Sequence, residues 1–94
     1  MQEISYDPAK RAATLADRGL DFADAALVFA GDTATEPDDR RDYGERRFIT
    51  AGLLRGRLVV LVWTPRGNVR RVISMRAMHD KEAERWQRRL GPGG

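Results

Sequence analysis

Alternate residues of the last predicted strand carry side chains suited to binding a polyanion. The two-residue period of a strand places four of them on one face: Arg70, Val72, Ser74 and Arg76. Guanidinium groups bind phosphate through paired hydrogen bonds. A solvated sheet face would explain any one of these arginines. The set of Arg70, Arg76 and Arg47 favours phosphate binding, with RNA as the leading ligand.

Two other groups of side chains could do chemistry. His79 is the only histidine, and its imidazole could transfer a proton or bind phosphate, although a surface or helix-capping role is commoner. The acidic segment from residue 36 to residue 45 lacks EF-hand spacing, so a solvated loop is predicted there. Because metal-ligand spacing and nucleotide-binding motifs are also missing, the sequence predicts no metal and no cofactor.

Charge is unevenly distributed along the chain. Residues 1–45 contain five Lys or Arg and eleven Asp or Glu, whereas residues 46–94 contain twelve and three. This separation predicts a nucleic-acid partner, or an acidic patch that shields a basic one. Fifteen of the seventeen basic residues are arginine. A GC-rich genome would also produce that ratio, but it would not separate the charges.

Length and composition restrict the class of protein. The 94 residues fit one domain that spans residues 1–94. The absence of cysteine excludes a disulfide scaffold and a thiolate metal site, and it is typical of a reducing cytoplasm. No signal peptide is recognisable, and the longest apolar run, Leu58–Trp63, is too short to span a membrane. We therefore expect a cytoplasmic protein with no membrane partner.

Capping signals and apolar periodicity predict the elements that position these residues. After a short strand at Ile4–Tyr6, a helix is predicted over Pro8–Arg18, with Asp7 as its cap, Gly19 as its stop and an alanine face for close packing. A second helix opens at Asp21, and residues 33–35 form a short edge strand. A last helix begins near residue 79.

The second half of the chain is predicted to form an antiparallel meander. Its three strands are Arg46–Leu54, Leu58–Thr64 and Val69–Met75, and the middle one is apolar on both faces. The predicted fold class is α+β. A twisted antiparallel sheet, formed by this meander and one or two short N-terminal strands, carries two N-terminal helices and one C-terminal helix. Residues 91–94 are predicted to be a disordered tail.

Six short motifs occur in order along the chain: Tyr6–Lys10, Gly19–Ala25 with Phe29, Gly44–Gly52, Gly56–Val60, Thr64–Gly67 and Ile73–Glu82. Together they resemble the BrnT family of toxins from bacterial type II toxin–antitoxin systems. The resemblance implies a RelE-like ribonuclease fold with helices packed on one side of the sheet. It also implies RNA cleavage that inhibits translation, through metal-independent attack by the RNA 2′-OH on the adjacent phosphorus.

The same resemblance implies partners. A BrnA-like antitoxin would neutralise the toxin and carry a DNA-binding domain, so operator DNA would be bound only by the complex. Four residues are expected to be catalytic: Arg76 and Arg47 on the scissile phosphate, Lys10 in support, and Glu45 as the candidate base. Four more are expected to bind RNA or its phosphates: Arg70, Ser74, Arg41 and His79.

The sequence departs from the family pattern in two regions. Asp17-Arg18-Gly19 stands where the family usually has Lys-His-Gly, and Arg40-Arg41-Asp42 stands in a region that often carries another histidine. Arginine does not readily accept a proton. The alternative function is therefore an attenuated or non-catalytic module that binds RNA or the antitoxin. A DNA-binding domain is disfavoured because the basic residues lie mainly on strands rather than on one recognition helix.

Overall fold

The helices and strands follow the order predicted from the sequence. The structure is a computed structural model that describes residues 3–90. Its elements are β1 (Glu3–Tyr6), α1 (Pro8–Arg18), a 3₁₀ turn (Phe22–Asp24), α2 (Ala25–Ala30), β2 (Thr33–Pro37), β3 (Phe48–Leu54), β4 (Arg57–Arg66), β5 (Val69–Ala77) and α3 (Asp80–Leu90). The α+β class is confirmed. The predicted tail at residues 91–94 lies outside the described residues.

Capping residues set the ends of α1 and the start of the segment that follows it. Asp7 Oδ1 accepts the Ala9 N–H at 2.9 Å, and Gly19 takes the left-handed conformation at φ 69°. Asp21 Oδ1 accepts the Ala23 N–H at 2.9 Å, so this residue does open a helical segment. The segment begins as a 3₁₀ turn before α2 starts.

The alanine face of α1 is not packed against the protein, which contradicts the expected close packing. Four of its alanines are exposed: Ala9, Ala12, Ala13 and Ala16. Polar contacts hold the helix instead. Arg11 binds both carboxylate oxygens of Asp21 at 2.7 and 2.9 Å, and Arg18 Nη1 donates to the Met75 carbonyl at 2.9 Å. The helical period identified the alanine stripe correctly but not the side on which the chain packs.

The five strands form one mixed sheet in the order β1-β5-β4-β3-β2. The pairs β2–β3, β3–β4 and β4–β5 are all antiparallel, and the last two form the predicted meander. The N-terminal strand differs, because β1 runs parallel to β5, with Ile4 opposite Arg70 and Tyr6 opposite Val72. The wholly antiparallel sheet is thus corrected at one edge. A four-residue strand carries no local signal for its partner or its direction.

One face of the sheet carries α2 and most of the core. Val59 and Leu61 of β4 are fully buried there, with Phe22 and Val28 packed in the same cluster. Gly52 on β3 allows α2 to approach, because a Cβ atom at this position would lie 2.7 Å from Val28 Cγ1. Removal of this apolar surface from water is the main stabilising contribution to the fold.

The opposite face carries α3, which corrects the expectation of helices on one side only. Trp86 of α3 is buried, and it lines a cavity together with Val60 and Val62 of β4. These two valines alternate with the core residues along β4, so the strand presents apolar side chains to both faces. The predicted covering of this central strand on both sides is therefore confirmed.

Candidate functional site

A β-bulge in β5 changes which of the predicted residues share a face. Ser74 lies opposite Val62 on β4, but Val72 lies opposite Trp63, so Ile73 is an extra residue in the pairing. One extra residue reverses the alternation of the strand. Even-numbered residues of β5 therefore lie on one face of the sheet before Ile73 and on the other face after it.

The predicted four-residue face is consequently split between the two sides of the sheet. Ser74 and Arg76 lie on the α3 side, whereas Arg70 lies on the α2 side. The Arg70 guanidinium is 4.1 Å from the ring centroid of Phe29 and 5.4 Å from that of Trp63. Its buried Nε has no hydrogen-bond partner among the described residues. Cation–π contacts with these rings hold Arg70 away from Arg76.

Ser74 and Arg76 line a groove between α3 and the sheet, with a volume of about 450 Å³. We call it the α3 groove. Its other lining residues are Glu36, Arg40, Ile49, Val60, Val62, Glu82, Arg85 and Trp86. The groove therefore has an apolar base and is lined by three arginines: Arg40 from a loop, Arg76 from β5 and Arg85 from α3. Guanidinium groups in such an arrangement suit a phosphate group.

Arg76 is held in the groove by Glu82 from the first turn of α3. Arg76 Nη1 and Nη2 donate to the two carboxylate oxygens at 2.7 and 2.8 Å. This paired contact raises the pKa of Arg76 and lowers the pKa of Glu82. The Nε of Arg76 makes no hydrogen bond with a described residue. One edge of the guanidinium, formed by Nε and Nη2, thus remains available to an anion.

His79 lies immediately before α3, close to the same carboxylate. Its carbonyl accepts the Ala83 N–H at 2.8 Å, which is the first helical hydrogen bond. Its backbone N–H and its imidazole both contribute to lowering the pKa of Glu82. The predicted helix start near this residue is confirmed. His79 is exposed and does not line the α3 groove.

Arg40 reaches the α3 groove because a buried carboxylate holds it. Asp38 has a fully buried side chain, and its oxygens accept Arg40 Nε and Nη2 at 2.7 and 2.8 Å. The paired hydrogen bonds lower the pKa of Asp38 to about 2. The positive charge of Arg40 opposes that of Arg76 and tends to lower its pKa, but the larger effect of Glu82 keeps the pKa of Arg76 raised. Asp38 and Glu82 thus offset the repulsion between two neighbouring cations.

Arg41, Arg47 and Glu45 lie in a second cluster around Tyr43. The guanidinium of Arg47 is 4.0 Å from the Tyr43 ring centroid, and that of Arg41 is 5.3 Å from it. Glu45 contacts Arg47 and Arg66 at 3.4 Å each. A cavity next to the α3 groove is lined by Arg41, Tyr43, Glu45 and Arg47, together with Asp38. We call the first four of these residues the Tyr43 cluster. Arg47 precedes β3 rather than lying on it.

Asp38 joins the Tyr43 cluster to the α3 groove. The Tyr43 side chain helps to lower the pKa of Asp38, and Asp38 holds Arg40 at the groove. Lys10 is exposed on α1 and lines neither cavity. The structure therefore brings Arg76 and Ser74 together, connects Arg47 and Arg41 to them through a neighbouring cluster, and leaves Lys10 and Arg70 apart.

Four charged residues of the α3 groove were not among the predicted site residues. They are Glu36, Arg40, Arg85 and Glu82. Glu82 carried a signal, since it closes the motif that includes Arg76. Arg40 lies in one of the two regions that depart from the family pattern. Arg85 falls on an exposed stretch of helix and carried no local signal.

Comparisons with known proteins identify one family. The family model for the ribonuclease toxin, BrnT, of type II toxin–antitoxin systems matches residues 6–82. The match includes Arg40, Ser74, Arg76 and Glu82 of the α3 groove. No protein of curated function matches the chain. Within residues 3–90, no helix is long and apolar enough to cross a membrane, and no group of three or more His, Cys, Asp or Glu could hold a metal ion.

Proposed function

Because the chain belongs to the BrnT family of ribonuclease toxins of type II toxin–antitoxin systems, we propose that the α3 groove binds the scissile phosphate of RNA. The observation that carries this proposal is the convergence of Arg40, Arg76 and Arg85 on one groove. Arg85 makes no ion pair with a described residue, and Arg76 keeps its Nε–Nη2 edge for an anion. A phosphodiester bound there would meet at least two guanidinium groups.

The reaction that suits this groove is transesterification within the RNA. The 2′-oxygen attacks the adjacent phosphorus, the bond from phosphorus to the 5′-oxygen breaks, and the products end in a 2′,3′-cyclic phosphate and a 5′-hydroxyl. Negative charge grows on the phosphoryl oxygens during attack. A donor fixed near those oxygens, such as Arg76 held by Glu82, stabilises the charge without reorganisation, and Arg85 adds a second positive charge. Ser74 supplies a further hydroxyl donor.

The Tyr43 cluster is proposed to hold RNA next to the scissile phosphate. Arg41 and Arg47 supply charge there, and Asp38 couples the cluster to the groove. Lys10 and Arg70 line neither cavity, so we assign them contacts with more distant phosphates rather than catalysis. Electrostatic contacts of this kind give affinity without sequence preference.

Cleavage of cellular RNA by this groove would inhibit translation, and an antitoxin would have to prevent it. A BrnA-like protein that covers the α3 groove with acidic side chains would compete directly with RNA for the three arginines. Operator DNA would be bound only through that complex. We also propose a RelE-like fold, supported by the four antiparallel strands and by the N-terminal helices on the α2 side.

The pairing of two groove arginines supports a second candidate function. Arg76 and Arg40 each already bind a carboxylate, and the α3 groove contains no imidazole. A protein with this groove could bind RNA or an antitoxin without cutting. It would show salt-sensitive RNA binding with no cleavage products.

A cleavage assay separates the two functions. Wild-type protein, Arg76→Ala and the matched control Arg57→Ala are incubated with RNA in the presence of a metal chelator. Arg57 is exposed at the start of β4 and lines neither cavity. Loss of one charge-stabilising donor costs about 10²- to 10³-fold in rate, so only Arg76→Ala should lose activity. Intact RNA with folded wild-type protein would refute the ribonuclease proposal.

A further inference from the structure

RNA transesterification needs a group that accepts the proton of the 2′-hydroxyl, and this requirement rests on the proposed function. Glu45, the base expected from the sequence, is bound to Arg47 and Arg66 and does not line the α3 groove. Asp38 is buried against Arg40. The carboxylates that do line the groove are Glu36 from β2 and Glu82 from α3.

Glu82 is placed beside the available edge of Arg76. The carboxylate occupies the end of the guanidinium formed by Nη1 and Nη2, so a phosphate on the Nε–Nη2 edge would be its neighbour in the same plane. A carboxylate can accept about four hydrogen bonds; Arg76 uses two, and the His79 backbone N–H also donates to this carboxylate. The Glu82 side chain is 26% exposed, which leaves it open to a 2′-hydroxyl.

We propose that Glu82 is the general base of this ribonuclease, and that Arg76 aligns it with the scissile phosphate. The Glu82 carboxylate takes the proton from the 2′-hydroxyl as the 2′-oxygen bonds to phosphorus. The bond to the 5′-oxygen breaks, and a water molecule protonates that oxygen. Glu82 then returns its proton to the resulting hydroxide. No proton or electron pair is left unbalanced.

The charges around Glu82 set the pH at which it can act. Arg76 binds it from β5 and His79 precedes α3, while Arg85 from the next turn of α3, Arg40 from the loop after β2 and Glu36 from β2 line the same groove. Arg76 lowers the pKa of Glu82 below its ordinary value of 4.5. The carboxylate is therefore ionised, and ready to accept a proton, throughout the neutral range.

Two other roles for Glu82 would leave the same contacts. It could tether α3 to β5, or it could occupy Arg76 as a competitor of phosphate. A tether would affect stability without changing how the rate depends on pH. A competitor would make cleavage faster when removed. Each role therefore predicts a different result for Glu82→Gln, which removes the negative charge and the proton-accepting ability but keeps the size of the side chain.

The test compares Glu82→Gln with Glu84→Gln, an exposed position on the same helix that lines neither cavity. Single-turnover cleavage is measured from pH 3.5 to pH 8, and affinity is measured with a 2′-O-methyl oligonucleotide. We expect Glu82→Gln to cleave about 10²- to 10⁴-fold more slowly, without loss of affinity. The fall in rate at acid pH, present in the wild-type protein and in Glu84→Gln, should disappear.

The possible results separate this inference from the proposed function. Wild-type protein that does not cleave RNA would overturn both. Active wild-type protein with Glu82→Gln equally fast or faster would overturn only the role of Glu82. If Glu82→Gln does not fold, Glu82→Asp provides the test, because it keeps the charge and moves it by one methylene. It should cleave more slowly and keep the acid limb, and a wild-type rate would contradict the assignment.

Discussion

Asp38→Asn should destabilise the protein by about 1–2 kcal/mol at neutral pH. The Asp38 carboxylate is buried and binds Arg40 through two hydrogen bonds, which lower its pKa from 3.8 to about 2. Such a change corresponds to roughly 2.5 kcal/mol of differential interaction between the two protonation states. Arg40 is 67% exposed, so solvent screens the pair and about half of that energy is a realistic expectation.

The pH dependence of this contribution has a definite sign. The pKa of Asp38 is lower in the folded protein, so its contribution to the free energy of unfolding is complete above pH 4 and is lost as the pH falls towards 2. Asn cannot ionise, and that part of the acid destabilisation should be missing from Asp38→Asn. Asp21, whose pKa is also lowered to about 2, should keep its own part in both proteins.

Thermal unfolding followed by tryptophan fluorescence measures both effects. Asp39→Asn is the matched control, because Asp39 is the exposed neighbour. At pH 7, Asp38→Asn should unfold about 4–16 °C below the control in a thermal melt, since 1 kcal/mol shifts the midpoint by about 4–8 °C at this chain length. At pH 2.5 the difference should shrink. Equal stability at pH 7, or an unchanged difference at pH 2.5, would refute the account of Asp38.

Three further predictions concern packing and RNA binding. Gly52→Ala should lower the free energy of unfolding in urea by about 1–3 kcal/mol, because the added Cβ would lie 2.7 Å from Val28 Cγ1. Gly67→Ala is the control: its added Cβ would have no neighbouring atom within 4 Å, so it measures only the cost of a positive φ. Arg47→Ala should weaken binding of a 2′-O-methyl oligonucleotide while saturated cleavage changes by less than about threefold, and a large loss of rate would place Arg47 on the scissile phosphate instead. Arg85→Ala should reduce the slope of log affinity against log salt concentration by about 0.7, and an unchanged slope would remove Arg85 from the RNA contacts.

Local sequence signals were sufficient for the ends of the helices. Asp7 and Gly19 define α1 because capping depends on residues within one turn. The turn at residues 55 and 56, where both residues have positive φ, likewise fixed the hairpin between β3 and β4. These features depend on neighbours in the chain, and they could be predicted without any tertiary contact.

Features that depend on distant contacts could not be predicted in the same way. The bulge at Ile73 has no signature in the sequence, where the pattern of β5 continues without interruption. Arg70 and Arg76 were therefore assigned to the same face of the sheet. No local sequence signal around residue 80 predicts which face of the sheet α3 covers. Glu45, the expected base, lies in the Tyr43 cluster rather than in the α3 groove, and it contacts Arg66, a residue 21 positions away in the chain.

Cleavage of one RNA sequence in two chemical forms tests the central claim most directly. An all-ribose oligonucleotide and its fully 2′-O-methylated counterpart are incubated with the wild-type protein, and the products are identified by mass. The account predicts that both bind and that only the ribose form is cut, with 2′,3′-cyclic phosphate ends. Cleavage of the methylated form, or binding of both forms without cleavage, would contradict it.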